Sequence, residues 1–152
     1  MKWVTRERPK IDRIACPWLI RRFIDADPEF LFVPAAAVED VAQRANAIPF
    51  DVPGVPLSHV GSQCSFDAFL AHYGLDEAAL RRLAAIVRGA DTARHDLTPQ
   101  SPGLLAISLG LSEVFRDDHE MLKHGMVIYD ALYAWCRNER PEKHDWPPPT
   151  GH

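Results

Sequence analysis

Between residues 2 and 52, short apolar runs alternate with helical patterns, and that alternation leaves few ways to fold. "KWVT" at 2–5 and "FLFV" at 30–33 read as strands, and "IPFDV" at 48–52 reads as a weaker third because Pro49 confines it to an edge or an end. Between them Ile11, Ile14, Ala15, Trp18, Leu19 and Phe23 recur at helical spacing, as do Val38, Val41, Ala42 and Ala45. The order β-α-β-α-β favours a small parallel sheet with right-handed crossovers.

After the loop "DVPGVP" the chain reads as helix. The expected segments are 66–73 behind a Ser65 cap, 77–91 behind Asp76, 102–113 with Ser101 as cap and Pro102 opening the helix, and 118–138 behind Asp117. The expectation is therefore an α+β fold, predominantly helical, with a mainly parallel sheet of about three strands near the N-terminus. A length of 152 residues suits one domain spanning 1–152, and 47% hydrophobic content is enough for a core. Residues 139–152, with "HDWPPPTGH", read as a proline-rich tail.

Composition also limits function. Seventeen Lys and Arg against 21 Asp and Glu give a net charge of -4, which argues against direct nucleic-acid binding. The charged start "MKWVTRERPK" lacks the apolar core of a signal peptide, and no run approaches the ~20 apolar residues of a membrane span. A cytoplasmic protein without membrane contact is expected. Cys16, Cys64 and Cys136 are too few and too scattered for a disulfide framework or a C-x-x-C pair, so reduced thiols are expected.

Cys16 stands just before Pro17. Because proline suits the first helical position, the expectation is a helix starting at 17 with Cys16 as N-cap, its thiolate favoured by the helix dipole and by Arg13, Arg21 and Arg22. Cys16, Arg21 and Arg22 then form a candidate thiol or anion site. The alternative is a small buried cysteine beside a solvated arginine face.

Ionisable residues on inward helical stripes mark a second candidate. Leu80, Leu83, Ala84 and Val87 define one buried face, which continues to Asp91; Leu122, Met126, Tyr129 and Cys136 define another, which runs back to His119. A buried carboxylate at a helix C-terminus needs a partner or a metal. His59 and Cys64 share the loop "SHVGSQCSFD". His59, Asp91 and His119 together make a ligand set of the kind Zn, Fe or Mn accepts, although each histidine alone also suits a structural role.

The stretches "KIDRIACPWLIRRFIDADPEFLFVP", "IPFD", "CSFDAFLAHYGL", "RGADT", "GLLAISLGL" and "DDHEMLKHGMVIYDALYAWC", in this order, resemble the C-terminal domain family of ChrB chromate-resistance proteins. The resemblance implies a role in chromate resistance. Its motif positions include Asp12, Arg13, His59, Asp91, Asp118 and His119. Full-length relatives carry a further N-terminal region linked to operon regulation, and this chain is expected to start directly at the shared domain. The expected function is a metal-binding domain, as a small metalloenzyme in chromate or oxidative-stress detoxification, with His59, Asp91 and His119 as ligands and Cys64, Asp12 and Arg13 as catalytic candidates. A non-catalytic module that senses a small oxyanion is the alternative. A third reading is a homodimer or partner-docking domain using Trp135 and Trp146.

Overall fold

The computed structural model describes residues 1–138; the proline-rich tail and Trp146 lie outside the described residues. The elements are β1 (Lys2–Arg6), α1 (Asp12–Leu19), β2 (Glu29–Val33), α2 (Val38–Ala45), β3 (Ile48–Pro49), α3 (Ser65–His72), α4 (Ala78–Asp91), α5 (Ser101–Val114) and α6 (Asp118–Arg137). The fold is the expected one: a small three-stranded parallel sheet near the N-terminus and a predominantly helical remainder.

Strand order is β2-β1-β3, with β1 paired in parallel to both neighbours. The third strand is short because Pro49 has no N–H to donate and Asp51 turns the chain at φ 54°. Trp3, Val4 and Thr5 are fully buried, as a central strand covered on both faces requires. Trp3 and Phe30 face the main core with α1, α3, α4 and α6, whereas Val4 joins Val38, Ala47 and Val52 under α2. The two crossover helices thus lie on opposite faces of the sheet. This arrangement opens a switch point between the carboxyl ends of β1 and β3, the usual ligand position in parallel sheets.

The start of α1 corrects the expectation drawn from Pro17. The helix opens at Asp12 after Ile11, which takes φ 45°, so Cys16 and Pro17 lie inside it. Pro17 forfeits the bond to the Arg13 carbonyl, a loss offset by burial of Ile14, Ala15, Trp18 and Leu19. The chain then widens into a π turn over Ile20–Ile24. Trp18 Nε1 and Arg22 both donate to Asp130 on α6, fixing α1 against that helix.

Caps shift by about one residue elsewhere. Cys64, not Ser65, is the N-cap of α3, and Gln100 precedes α5 while Ser101 turns inward to donate to the Ile86 carbonyl. Asp117 caps α6 as expected, accepting from the Glu120 N–H. Arg8 joins the β1–α1 connection to the far end of the chain: its guanidinium donates to the Ser112 and Phe115 carbonyls at the end of α5 and to Asp118. No helix among the described residues is long and apolar enough to cross a membrane.

Candidate functional site: an aspartate–histidine cluster at the end of the sheet

Asp12 is the first residue of α1 and is fully buried. Its carboxylate accepts from the Ser65 N–H at 2.7 Å and the Phe66 N–H at 3.4 Å, so it supplies the negative charge that the N-terminus of α3 favours. His59 arrives from the loop after β3, and Asp91 is the last residue of α4. A single ring nitrogen, His59 Nε2, lies 2.8 Å from Asp91 Oδ2, 3.4 Å from Asp12 Oδ2 and 3.4 Å from Asp51 Oδ1. One ligand atom each from Asp12, His59 and Asp91 fits within a mutual 4.8 Å.

Asp51 completes the cluster. It is 5% exposed, accepts from Ser65 Oγ at 2.6 Å through Oδ1, and receives Arg6 at 3.2 Å and Arg13 at 3.4 Å on Oδ2. Two guanidinium groups therefore share one carboxylate oxygen behind the histidine. Sequence reasoning missed Asp51 because it lies on no helical stripe. The available signal was its place just past the carboxyl end of a strand.

The electrostatics follow from burial and crowding. Burial and the neighbouring Asp12 and Asp51 carboxylates push the Asp91 carboxyl up to about 8. The Asp12 carboxyl is also raised, by burial first, although its bond to His59 opposes this. His59 is raised to about 9, chiefly by its hydrogen bond to Asp12. Burial lowers the Arg13 guanidinium, as does the adjacent Arg6. Of this group His59 is the most exposed, at 42%, so the cluster opens to solvent on the histidine side.

Backbone strain is concentrated nearby. Arg8, Ile11 and Asp51 take φ values of 55°, 45° and 54°; the first two shortly precede Asp12 in the chain, and Asp51 shares the His59 ring nitrogen with it. Such positions cost about 1–3 kcal/mol each and persist where surrounding contacts over-determine them. Here Arg8 is held by its bonds to α5 and Asp118, and the Ile11 carbonyl accepts from Tyr129 Oη at 3.2 Å.

The other expected site residues fall elsewhere. His119 is absent from the ligand group: its ring packs edge-on against Phe32 of β2, 5.3 Å between centroids, beside Arg21, Glu29 and Lys123. The cause is the strand order, since β2 and β3 lie on opposite sides of β1 and the carboxylates gather on the β3 side. Asp118 is a clamp for Arg8, accepting its backbone N–H at 3.0 Å.

The thiols are also corrected. Cys16 is completely buried inside α1, and burial, followed by the Asp12 charge, holds its thiol well above the ordinary range. Arg21 lies over the Phe30 ring and Arg22 pairs with Asp130, so no anion site forms around Cys16. Cys64 is buried too, and its thiol is raised by desolvation and by Asp12 and Asp67. Its backbone N–H and Sγ both donate to Asp67, whose carboxylate takes two further bonds from Arg88 at 2.8 and 2.9 Å. Since Arg88 lies one turn before Asp91, this chain of bonds fixes the start of α3, where Asp12 binds, relative to the end of α4. Cys64 is a structural donor, not an activated nucleophile.

Residues 3–136 match the family described as ChrB, C-terminal domain. The chain belongs to that family. It is 37% identical over 141 residues to Protein ChrB of Cupriavidus metallidurans, covering 91% of this chain and 42% of that relative. This ChrB-family chain thus spans less than half the length of the curated relative it matches. No solved structure matches it significantly.

Proposed function

We propose that the chain is a metal-binding domain acting in chromate resistance, with a divalent transition metal, Zn, Fe or Mn, held by Asp12, His59 and Asp91. The observation that carries this reading is the convergence of three ligand atoms from three separate segments within 4.8 Å, at the switch point of a parallel sheet. ChrB-family membership supports the chromate-resistance role. Two carboxylate oxygens and one imidazole nitrogen are donors that Mn, Fe and Zn all accept, and crowded carboxylates gain from a cation between them.

A bound ion would supply Lewis acidity or redox capacity to a small oxyanion or other small substrate. The chain's own residues prepare the place. Ser65 and Phe66 orient Asp12 through their N–H groups, and Arg6 and Arg13, joined at Asp51, put positive charge beside it. That pair also favours the second reading, reversible oxyanion sensing without catalysis.

Protein purified without chelator and examined by elemental analysis, then titrated calorimetrically with Mn, Fe(II) and Zn, tests both readings. One ion per chain is expected, lost in Asp91→Asn and His59→Ala and kept in His119→Ala. Failure to bind any of the three metals overturns the metal reading. Reversible chromate or sulfate binding by metal-free protein selects the sensor.

A further inference from the structure

The other face of the sheet carries a second concavity, distinct from the aspartate–histidine cluster. A cleft of about 850 Å³ lies between the turn Ala35–Ala37, α2 and the loop after β3. Small-molecule sites typically span ~300–1,000 Å³, and an inorganic ion would leave most of such a space empty. Its wall is largely apolar, formed by Val38, Ala42, Val52 and Val55 among others. Arg6, the last residue of β1, is the one cation among the lining residues.

Two features favour an anion beside that cation. Arg6 Nε is buried and has no hydrogen-bond partner, a condition costing about 1–3 kcal/mol that an incoming acceptor would relieve. Asp51 already serves Arg13 as well as Arg6, so it does not fully neutralise either, and Glu39 makes no ion pair with Arg6. The apolar wall then selects what the anion must be attached to.

We propose that this cleft binds a small organic anion, a carboxylate with an apolar body, its charge on Arg6 and its body against Val38, Ala42, Val52 and Val55. Arg6 also bonds Asp51 beside the aspartate–histidine cluster, so the titration is run in EDTA on the full chain to keep metal out of it, and the tryptophan variants below, which leave that bond intact, report on the cleft alone. Octanoate is titrated while backbone amides are followed by NMR, with octanol and sulfate as controls. Octanoate is expected to shift Val38, Ala42 and Val55 saturably, octanol to bind about tenfold more weakly, and sulfate to leave these amides unmoved. Arg6→Gln should bring octanoate down to the level of octanol. Ala42→Trp and Val55→Trp, both outside the Asp51 network, fill the cleft and should each weaken octanoate at least about tenfold. Absence of saturable shifts in the wild type, unchanged octanoate binding in Arg6→Gln, or unchanged binding in both tryptophan variants overturns the proposal. The tryptophan pair decides the matter if Arg6→Gln disturbs the fold.

Discussion

Asp12 and Asp91 are both carboxyls at one site, yet they answer to different constraints. Asp12 accepts two backbone N–H groups from α3, so Asp12→Asn replaces part of an acceptor with a donor and is expected to cost about 1–3 kcal/mol in urea unfolding. Asp91, raised to about 8, is largely protonated at neutral pH without metal. Asp91→Asn should therefore leave the stability of chelated protein near wild type at pH 7 while weakening metal binding at least about tenfold, read by calorimetry. The cysteines give a further residue-level outcome. Cys16 and Cys64 should resist alkylation of native protein at pH 7.5 and react only on unfolding, because burial and nearby carboxylates hold both as thiols. Labelling of either at the rate of a free thiol would show that α1 or α3 opens locally.

At the scale of elements, the site depends on how closely the helices approach. Gly125 on α6 leaves room for Ile14 of α1: a Cβ there would lie 2.6 Å from Ile14 Cγ2. Ile14 is fully buried and β-branched, so it has little freedom to withdraw. Gly125→Ala should push α1 from α6 and lower stability by about 1–3 kcal/mol in denaturant titration, despite alanine's better helix propensity. Since α1 carries Asp12 at its first position, the variant should weaken metal binding as well. These contacts were partly legible in the sequence. The stripe Leu122, Met126 and Tyr129 faces the core as its spacing implies, and Asp117 caps the helix it precedes. Pro17 misled because proline is a reliable helix start only where no tertiary burial offsets its missing hydrogen bond, and here Trp18 and Leu19 provide that burial.

For the whole molecule, the cluster links folding to protons and, on the proposed reading, to metal. Asp91 is raised from 3.8 to about 8 and His59 from 6.5 to about 9, so the folded protein retains protons that the unfolded chain has released. Bound protons in excess on the folded side make stability fall as pH rises. In EDTA the melting temperature should decline between pH 6.5 and 9, both groups contributing up to about pH 8 and His59 alone above it, and Asp91→Asn should flatten the decline below pH 8. The opposite dependence holds in acid, where Asp130, lowered by Arg22, loses its ion pair as it is protonated. A divalent ion would replace the protons on Asp91 and His59, so metal affinity should strengthen across the same alkaline window and the metal-bound protein should resist the decline. Scanning fluorimetry at graded pH, with EDTA or with Mn, reads both effects.

The sequence by itself determined the elements, their order and the parallel sense of the sheet, because hydrophobic period and chain connectivity are local properties. It also singled out Asp91 and His59, through an apolar stripe that ends in a carboxylate and a histidine placed in a loop. Tertiary structure alone decided which polar residues meet. It withdrew His119, which sits on the far side of β1, and admitted Asp51, which no helical period could mark. It also buried Cys16 and turned Cys64 into a donor to Asp67. The physical reason is that a stripe fixes the direction in which a side chain points, whereas its partners depend on strand order, on which face each crossover takes and on how closely the helices pack.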